Sequence, residues 1–187
     1  KYFAVKADFL IEDGLTWIVG PNGCGKSNIV ESLRWAMGET SAKSMRGSGM
    51  EDVIFSGTSN KSSKNIAEVT IEVENKDKQG PVQYREHDQI QIRRKIEKDK
   101  GSKFYINGKE VRARDAQMFF ADLSTGAHSP SMISQGRIGA LVTAKPTDRR
   151  AILEEAAGIS GLHVRRHEAE LRLGAAENNL KRADELR

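Results

Sequence analysis

The stretch that decides the fold is Gly20-Pro21-Asn22-Gly23-Cys24-Gly25-Lys26-Ser27. It fits the pattern G-x-x-x-x-G-K-[ST] at every constrained position, and it lies between a predicted strand and a predicted helix. Glycines allow backbone N–H groups to curl around a phosphate chain, and the N-terminus of the following helix adds partial positive charge. The stretch therefore predicts a phosphate-binding loop (P-loop) in an α/β nucleotide-binding fold.

Three side chains of this loop have separate expected roles. Lys26 is expected to reach the β- and γ-phosphates of a nucleotide, and Ser27 is expected to hold Mg²⁺. Cys24 is interpreted as a small loop residue. A chance glycine-rich turn is the alternative interpretation, and the predicted strand and helix on either side disfavour it.

Two predicted elements flank the loop. Residues 8–19 hold β-rich apolar runs and predict a strand, whereas residues 29–37 carry apolar side chains at helical spacing and predict a helix that ends at Gly38. Residues 40–63 are rich in Ser, Gly, Thr and Lys, and they predict a loop that contains a short strand at residues 53–55.

An antiparallel meander is predicted over residues 66–112. Its first two strands are indicated by alternating apolar and polar side chains at residues 66–74 and 82–97. The dipeptide Asn107-Gly108 is the strongest short hairpin signal in the chain. A helix and a loop are predicted after the meander, at residues 113–123 and 124–136.

The composition fits an ordinary globular protein. The chain has 187 residues, a formal net charge of +4 and one cysteine, so an internal disulfide framework is excluded and a reducing compartment is favoured. The sequence contains no apolar run of transmembrane length and no signal-peptide pattern, which predicts a protein without a membrane partner. It opens without Met and closes inside a helical pattern, so we expect it to be part of a longer protein.

The last forty residues have a different pattern. Residues 148–187 hold eight basic and eight acidic residues, with no aromatic residue and no proline. One series recurs every seven positions (Leu162, Ala169, Ala176 and Ala183), and a second series is offset from it by four (Arg166, Leu173, Leu180 and Arg187). Together they predict a heptad seam from about Ala169 to Ala183. We therefore expect an N-terminal lobe at residues 1–148 and the root of a coiled coil at residues 149–187. A surface helix that lies on its own domain is the alternative.

Hydrolysis of a nucleotide needs further motifs besides a P-loop, and the sequence contains neither a complete Walker B element nor a complete signature motif. A Walker B element would be an apolar strand that ends in a carboxylate, but Met50 to Phe55 has its acidic residues before its apolar run. Leu123 to Gly126 superficially matches an ATP-binding-cassette signature, yet it lacks the second glycine. The chain is therefore expected to hold half of a catalytic site at most.

Several motifs, read in order, carry a resemblance to a known family. They are Gly20 to Asn28, Ser44-Met45-Arg46-Gly47, Asp52 to Thr58, Gln135-Gly136-Arg137-Ile138, and the segment from Lys145-Pro146 to Ile159. With these motifs the chain closely resembles, almost from end to end, the N-terminal head half of bacterial SMC proteins, the chromosome-condensing ATPases. The segment from Ser124 to His167 is most similar to SMC sequences of alphaproteobacteria.

The resemblance implies an α/β P-loop NTPase fold of ATP-binding-cassette type whose head is split across the chain. In that family the N-terminal half supplies the P-loop, and a long coiled coil leads away and returns. The C-terminal half then supplies the signature motif and Walker B. Two heads of a homodimer sandwich two ATP molecules, and hydrolysis is coupled to DNA. The resemblance also implies kleisin-type accessory subunits and a cytoplasmic, nucleoid-associated location.

The resemblance also assigns residues. ATP is expected on nine residues of the loop: Gly20, Pro21, Asn22, Gly23, Cys24, Gly25, Lys26, Ser27 and Asn28. Lys26 and Gln135 are the expected catalytic residues, with Gln135 touching Mg²⁺ and the attacking water, so that Ser27 and Gln135 form the metal site. Arg46 matches the arginine-loop position, which in the family is linked to DNA-stimulated hydrolysis.

A basic cluster adds a candidate DNA contact. Residues 85–114 carry ten basic and five acidic residues, and Arg93, Arg94 and Lys95 lie beside a predicted hairpin turn. Such a cluster can neutralise phosphates without reading bases, so double-stranded DNA would be bound independently of sequence. A solvated hairpin face is an equally good interpretation.

Two other functions compete with that of a chromosome-organising ATPase. One is a DNA-repair ATPase of related SMC-like architecture. The other is a coiled-coil adaptor that binds its nucleotide only as a structural ligand. A membrane-transport subunit is disfavoured, because the stretch between the P-loop and Gln135 is longer than a transporter cassette is expected to have.

Overall fold

The computed structural model describes residues 5–42, 48–78, 80–123, 125–126, 129, 131–133, 139, 142–157 and 160–185. Its helices are α1 (Lys26–Ala36), α2 (Ala113–Asp122), α3 (Pro146–Ala156) and α4 (Ser160–Glu185), with short 3₁₀ turns at Met50–Val53 and Val82–Tyr84. Its strands are β1 (Ile66–Glu74), β2 (Gln89–Glu97), β3 (Gly101–Ile106) and β4 (Lys109–Val111). No helix within these residues is both long enough and apolar enough to cross a membrane.

The four strands form an antiparallel sheet in the order β1-β2-β3-β4. The predicted meander is thereby confirmed, and so is the hairpin at Asn107-Gly108, where both residues adopt the positive φ angles (48° and 79°) that a tight turn requires. In β2 every second side chain is buried, from Ile90 to Ile96. The sheet therefore has one face against the protein and one face toward solvent.

The inner face of the sheet packs against two helices. One buried cluster joins Trp35 of α1 to Ile96 of β2 and to Val53 and Ile54. A second cluster joins Ile90, Ile92 and Ile106 of the sheet to Phe119 and Phe120 of α2. Two helices are thus held on the same face of the meander, and α1 is the helix that follows the glycine-rich loop.

One buried amide organises the connection between β1 and β2. The Asn75 side chain accepts a hydrogen bond from the Gly80 N–H (2.8 Å) and donates to the carbonyl of His87 (2.8 Å) and to that of Arg85 (3.3 Å). This network holds residues 82–84 in a 3₁₀ turn. The predicted strand over residues 82–97 is therefore wrong in its first part, and β2 begins at Gln89.

The predicted strand over residues 8–19 is absent from the described structure. These residues make no strand ladder, and large apolar side chains stay exposed there, including Leu10 (83%), Trp17 (75%) and Val19 (82%). A strand needs a neighbour for its N–H and C=O groups, and no described strand pairs with this segment. The apolar side chains of residues 8–19 follow the pattern of a strand, but no other strand pairs with them within the described residues.

The short strand predicted at residues 53–55 is also wrong. The Asp52 carboxylate accepts hydrogen bonds from the N–H groups of Ser48 (2.6 Å) and Gly49 (3.1 Å), which caps a 3₁₀ turn instead. Val53 and Ile54 are still buried, because they pack against Trp35.

The C-terminal part is helical. The helix α4 runs for 26 residues, and the side chains of Leu173 and Leu180, which belong to the predicted heptad seam, are 64% and 68% exposed. An exposed apolar seam on a long helix is typical of a coiled-coil strand without its partner. The division at residues 148 and 149 stays a prediction, since α3 already begins at Pro146.

The Asn75 network predicts that Asn75→Ala destabilises the β1–β2 connection. The substitution leaves the Gly80 N–H and the His87 carbonyl without their partner, so we expect a loss of roughly 1–3 kcal/mol in the free energy of unfolding. Urea denaturation checks the size of the loss, and amide hydrogen exchange over residues 75–88 checks its place. Asn60→Ala is the matched control, because Asn60 is exposed. Equal stability of the two variants would contradict the role of the buried amide.

Candidate functional site

The glycine-rich loop lies directly before α1. Gly23 and Gly25 both adopt left-handed backbone angles (φ 83° and 94°), which favour glycine over residues with a side chain. Gly25 is also the N-cap of α1, and its carbonyl accepts the Asn28 N–H at 2.9 Å. The glycines therefore form a turn whose backbone leads directly into the N-terminal end of α1.

Lys26 folds back into this turn. Its ammonium donates to the carbonyl oxygens of Gly20 (2.7 Å) and Pro21 (2.6 Å) and lies 4.0 Å from the Cys24 sulfur. A side chain at position 20 would press on that sulfur, because a Cβ built on Gly20 comes within 3.0 Å of it. The loop thus wraps closely around the one cation that the sequence predicts to meet phosphate.

The loop has the donor set that a phosphate chain with a divalent cation needs. Residues 20–24 are exposed, and Ser27 follows Lys26 in the first turn of α1 with its side chain half-buried. The helix end offers N–H groups and partial positive charge, the ammonium offers a full charge, and a Ser hydroxyl is a suitable oxygen ligand for Mg²⁺. Among the described residues no cluster of three or more His, Cys, Asp or Glu offers a competing metal site.

The other end of α1 is held by a buried arginine. The Arg94 guanidinium on β2 donates from Nη1 to the carbonyls of Trp35 (2.6 Å) and Glu39 (2.7 Å) and from Nε to the Ser102 hydroxyl (2.8 Å). It lies over the ring of Trp35, 4.5 Å from the ring centre, and over that of Phe104, 4.6 Å from the ring centre. Burial lowers the pKa of Arg94 to about 10, which leaves the group charged at neutral pH. We call these five residues the Arg94 anchor.

A second side chain secures the same helix end. Gln117 of α2 donates from Nε2 to the Gly38 carbonyl at 2.7 Å. Gly38 has a φ of 104°, and a Cβ at this position would come within 2.4 Å of the Gln117 side chain, so both the backbone angle and the contact favour glycine. Close by, the Glu39 carboxylate pairs with Arg34 at 3.3 Å and accepts the Ser41 N–H at 2.8 Å. The carbonyls of Trp35, Gly38 and Glu39 thus accept hydrogen bonds from β2 and α2. Backbone N–H groups just after the helix also bond to the carbonyls of Leu33, Arg34 and Trp35.

The basic residues of β2 divide between the two faces of the sheet. Arg93 and Lys95 lie on the outer face, where the Arg93 guanidinium stacks on Tyr105 at 4.5 Å and lies 4.0 Å from Glu68. Arg94 lies on the inner face and is 3% exposed. The prediction that Arg94 contacts DNA is therefore wrong, because its guanidinium is buried and donates to carbonyl and hydroxyl oxygens of the protein itself.

The outer face has mixed charge. Lys95 stands opposite Glu68 and Lys103, and the Lys103 ammonium pairs with Glu110 at 3.1 Å. Glu72 accepts a hydrogen bond from Gln91 at 3.1 Å. Carboxylates thus stand among the basic groups, and a DNA contact by Arg93 and Lys95 stays a prediction.

Gln135 and Arg46, the other two predicted site residues, lie outside the described residues.

Sequence reasoning missed the Arg94 anchor, although a signal for it was present. Ile90, Ile92 and Ile96 share one parity in β2, and Arg94 has the same parity. An arginine on the apolar face of a half-buried strand predicts a buried guanidinium. The basic run Arg93-Arg94-Lys95 was instead interpreted as one cluster, which ignores the alternation of strand side chains.

Comparison of the sequence with known families gives one match over most of the chain. The profile of the RecF/RecN/SMC N terminal domain matches residues 1–137. The chain is 55% identical over 186 residues to Chromosome partition protein Smc of Rhodopseudomonas palustris and to that of Cereibacter sphaeroides. Each alignment covers 100% of this chain and 16% of the relative, so the chain spans about a sixth of the length of these curated proteins.

Solved structures are similar as well. A structure from work on ATP-driven dimerization and DNA-stimulated activation of SMC ATPases shares 32% identity at a TM-score of 0.64, over 78% of this chain and 86% of that one. The Smc head domain of Pyrococcus furiosus, with an extended coiled coil and bound to the C-terminal domain of ScpA, shares 31% identity at a TM-score of 0.66. That alignment covers 89% of this chain and 41% of the other. These similarities identify the fold as that of SMC-type P-loop ATPase heads.

Proposed function

This chain belongs to the RecF/RecN/SMC N-terminal domain family, and we propose that it is the ATP-binding half of an SMC head that acts in chromosome condensation and segregation. The observation that carries the proposal is the P-loop geometry, in which Gly25 caps α1 and Lys26 folds into the turn. The 55% identity with chromosome partition proteins favours this function over a DNA-repair relative or a structural adaptor.

Within this proposal ATP binds at residues 20–28. The N–H groups at the start of α1 donate to phosphate oxygens, and Lys26 exchanges its bonds to two carbonyls for the β- and γ-phosphates. Ser27 is the proposed protein ligand of Mg²⁺, together with Gln135. The cation supplies compensation for the negative charge of the phosphates. Gln135 would also orient the attacking water.

We propose further that the catalytic site is completed by a second part of the same protein. No described residue lies in Walker B context, and the exposed apolar residues 5–19 form a surface that a neighbouring strand would cover. A C-terminal head half would supply that strand, the signature motif and the missing carboxylate. Two such heads would then enclose two ATP molecules in a homodimer. The helices α3 and α4 would form the root of the coiled coil that connects the two halves.

The proposed partners are double-stranded DNA and a kleisin-type subunit. Smc heads of known structure bind the C-terminal domain of ScpA, which supports the second of these. DNA would be bound through phosphates by basic side chains that include Arg93, Lys95 and Arg46, with Arg46 linked to stimulation of hydrolysis. We place the protein in the cytoplasm, in association with the nucleoid.

Lys26→Ala is expected to weaken ATP binding in the full-length protein about tenfold or more. The substitution removes a charge-assisted contact that contributes roughly 1.5–3 kcal/mol, and a tenfold change in affinity corresponds to about 1.4 kcal/mol. Titration with a fluorescent ATP analogue measures the change. Lys64→Ala, at an exposed lysine outside the loop, is the control and keeps the affinity of the wild type. Equal affinity of wild type and Lys26→Ala would contradict the P-loop assignment.

The 187-residue chain alone is expected to hydrolyse ATP at the background rate. It holds phosphate-binding groups but lacks the opposing signature motif and carboxylate that charge compensation in the transition state needs. Addition of the matching C-terminal head half should restore turnover, and Gln135→Ala should then lower kcat far more than it weakens binding. A phosphate-release assay measures kcat, and titration with a fluorescent ATP analogue measures binding. Full turnover by the chain alone, lost on Lys26→Ala, would show that the site is complete within these residues.

The double substitution Arg93→Gln and Lys95→Gln is expected to weaken DNA binding equally for all sequences. It should also make the dependence of log affinity on log salt concentration shallower by about one for each phosphate contact removed. Fluorescence anisotropy with duplexes of unrelated sequence, measured at several salt concentrations, checks both effects. Lys76→Gln is the control on an exposed loop. An unchanged salt dependence in the double variant would exclude the outer face of β2 as a DNA contact.

A further inference from the structure

The helix that carries the P-loop is held mainly at the end far from the loop. The buried residues of α1 are Glu31 at its midpoint and Trp35 and Ala36 at its C-terminal end, whereas residues 25–30 are only half-buried. The segment that leads into the loop is exposed throughout residues 5–19. Within the described structure, the direction of α1 therefore depends on contacts near its C-terminal end.

Arg94 ties this end of α1 to the sheet, in addition to the Trp35 packing and the Gln117–Gly38 hydrogen bond. Its Nη1 group bridges the carbonyls of Trp35, inside the helix, and Glu39, three residues past it. Its Nε group is bonded to Ser102 of the neighbouring strand β3. One planar guanidinium thus joins the helix end to two strands, and it also contacts the rings of Trp35 and Phe104.

The same contacts set the direction in which the chain leaves the helix. Glu39 is tied through its carbonyl to Arg94 and through its carboxylate to Arg34 and the Ser41 N–H. A helix is a stiff rod, so an angular change at Trp35 displaces the loop at Gly25 at the opposite end of α1.

We infer that Arg94 is a positioning residue for nucleotide binding, which holds α1 at the angle where the P-loop can bind phosphate. The inference rests on the proposed function, since it takes ATP as the ligand of the loop. Arg94 does not touch the nucleotide; it acts through α1. An apolar residue at this position would fill the inner face of β2 but could not bridge the two carbonyls.

The test is made in the full-length protein with Arg94→Met, Arg94→Lys and the control Arg85→Met. Arg85 is an exposed arginine whose backbone carbonyl, not its side chain, accepts the bond from Asn75. The dissociation constant for MgATP is measured with a fluorescent analogue, and the unfolding transition is recorded separately by circular dichroism. We expect Arg94→Met to raise the dissociation constant at least fivefold in protein that is fully folded at the assay temperature. Arg94→Lys keeps the charge but loses the planar set of donors. Its dissociation constant should lie between that of Arg94→Met and that of the wild type.

The outcomes separate a positioning role from a merely structural one. A lower melting temperature with an affinity within twofold of the wild type overturns the inference, and so does failure of both Arg94 variants to fold. Weakened binding in Arg85→Met also overturns it, because loss of any arginine would then have the same effect. The proposed function fails by a different result, which is equal ATP affinity of wild type and Lys26→Ala.

Discussion

The capture of two backbone carbonyls by the Arg94 guanidinium is the interaction on which the arrangement of this protein depends. A helix ends with carbonyl groups that its own hydrogen bonds do not satisfy. In α1 the carbonyl of Trp35 and that of Glu39 just beyond the helix are bonded to an arginine from β2, and the carbonyl of Gly38 is bonded to Gln117 from α2. The negative end of the helix dipole thereby meets a buried cation. The positive end is left to the P-loop, where an anion is favoured.

This anchor explains how a polar loop with little buried surface can be placed accurately. The P-loop itself is exposed, and its shape comes from glycine backbone angles and from Lys26. Its position comes from the packed meander at the other end of α1, where Trp35 and Ile96 of β2 are fully buried in one cluster. Rigid packing thus supports the site from a distance, while the loop stays accessible. The cost of burying a charge at Arg94 is offset by its hydrogen bonds and by two aromatic rings.

Local patterns were enough to predict the P-loop, the meander and the turn at Asn107-Gly108. Each of these depends on residues close in sequence, through glycine placement or strand alternation. Residues 8–19 show where prediction from local patterns fails, because an apolar run becomes a strand only when another strand pairs with it. The bond between Gln117 and Gly38 joins residues 79 apart, and no local pattern specifies it. The burial of Arg94, by contrast, can be predicted locally, because Arg94 shares the parity of the buried isoleucines in β2. Treating Arg93, Arg94 and Lys95 as one basic cluster ignores this alternation.

The proposed function requires that the backbone around residues 20–28 binds the phosphates of ATP. Hydrogen exchange of the full-length protein, followed by mass spectrometry with and without MgATP, tests it most directly, because N–H groups bonded to phosphate oxygens exchange slowly. We expect MgATP to protect peptides covering Gly20 to Asn28, and Lys26→Ala to reduce this protection at the same nucleotide concentration. Nucleotide binding without protection of these peptides, or with protection confined to the outer face of the meander, would contradict it.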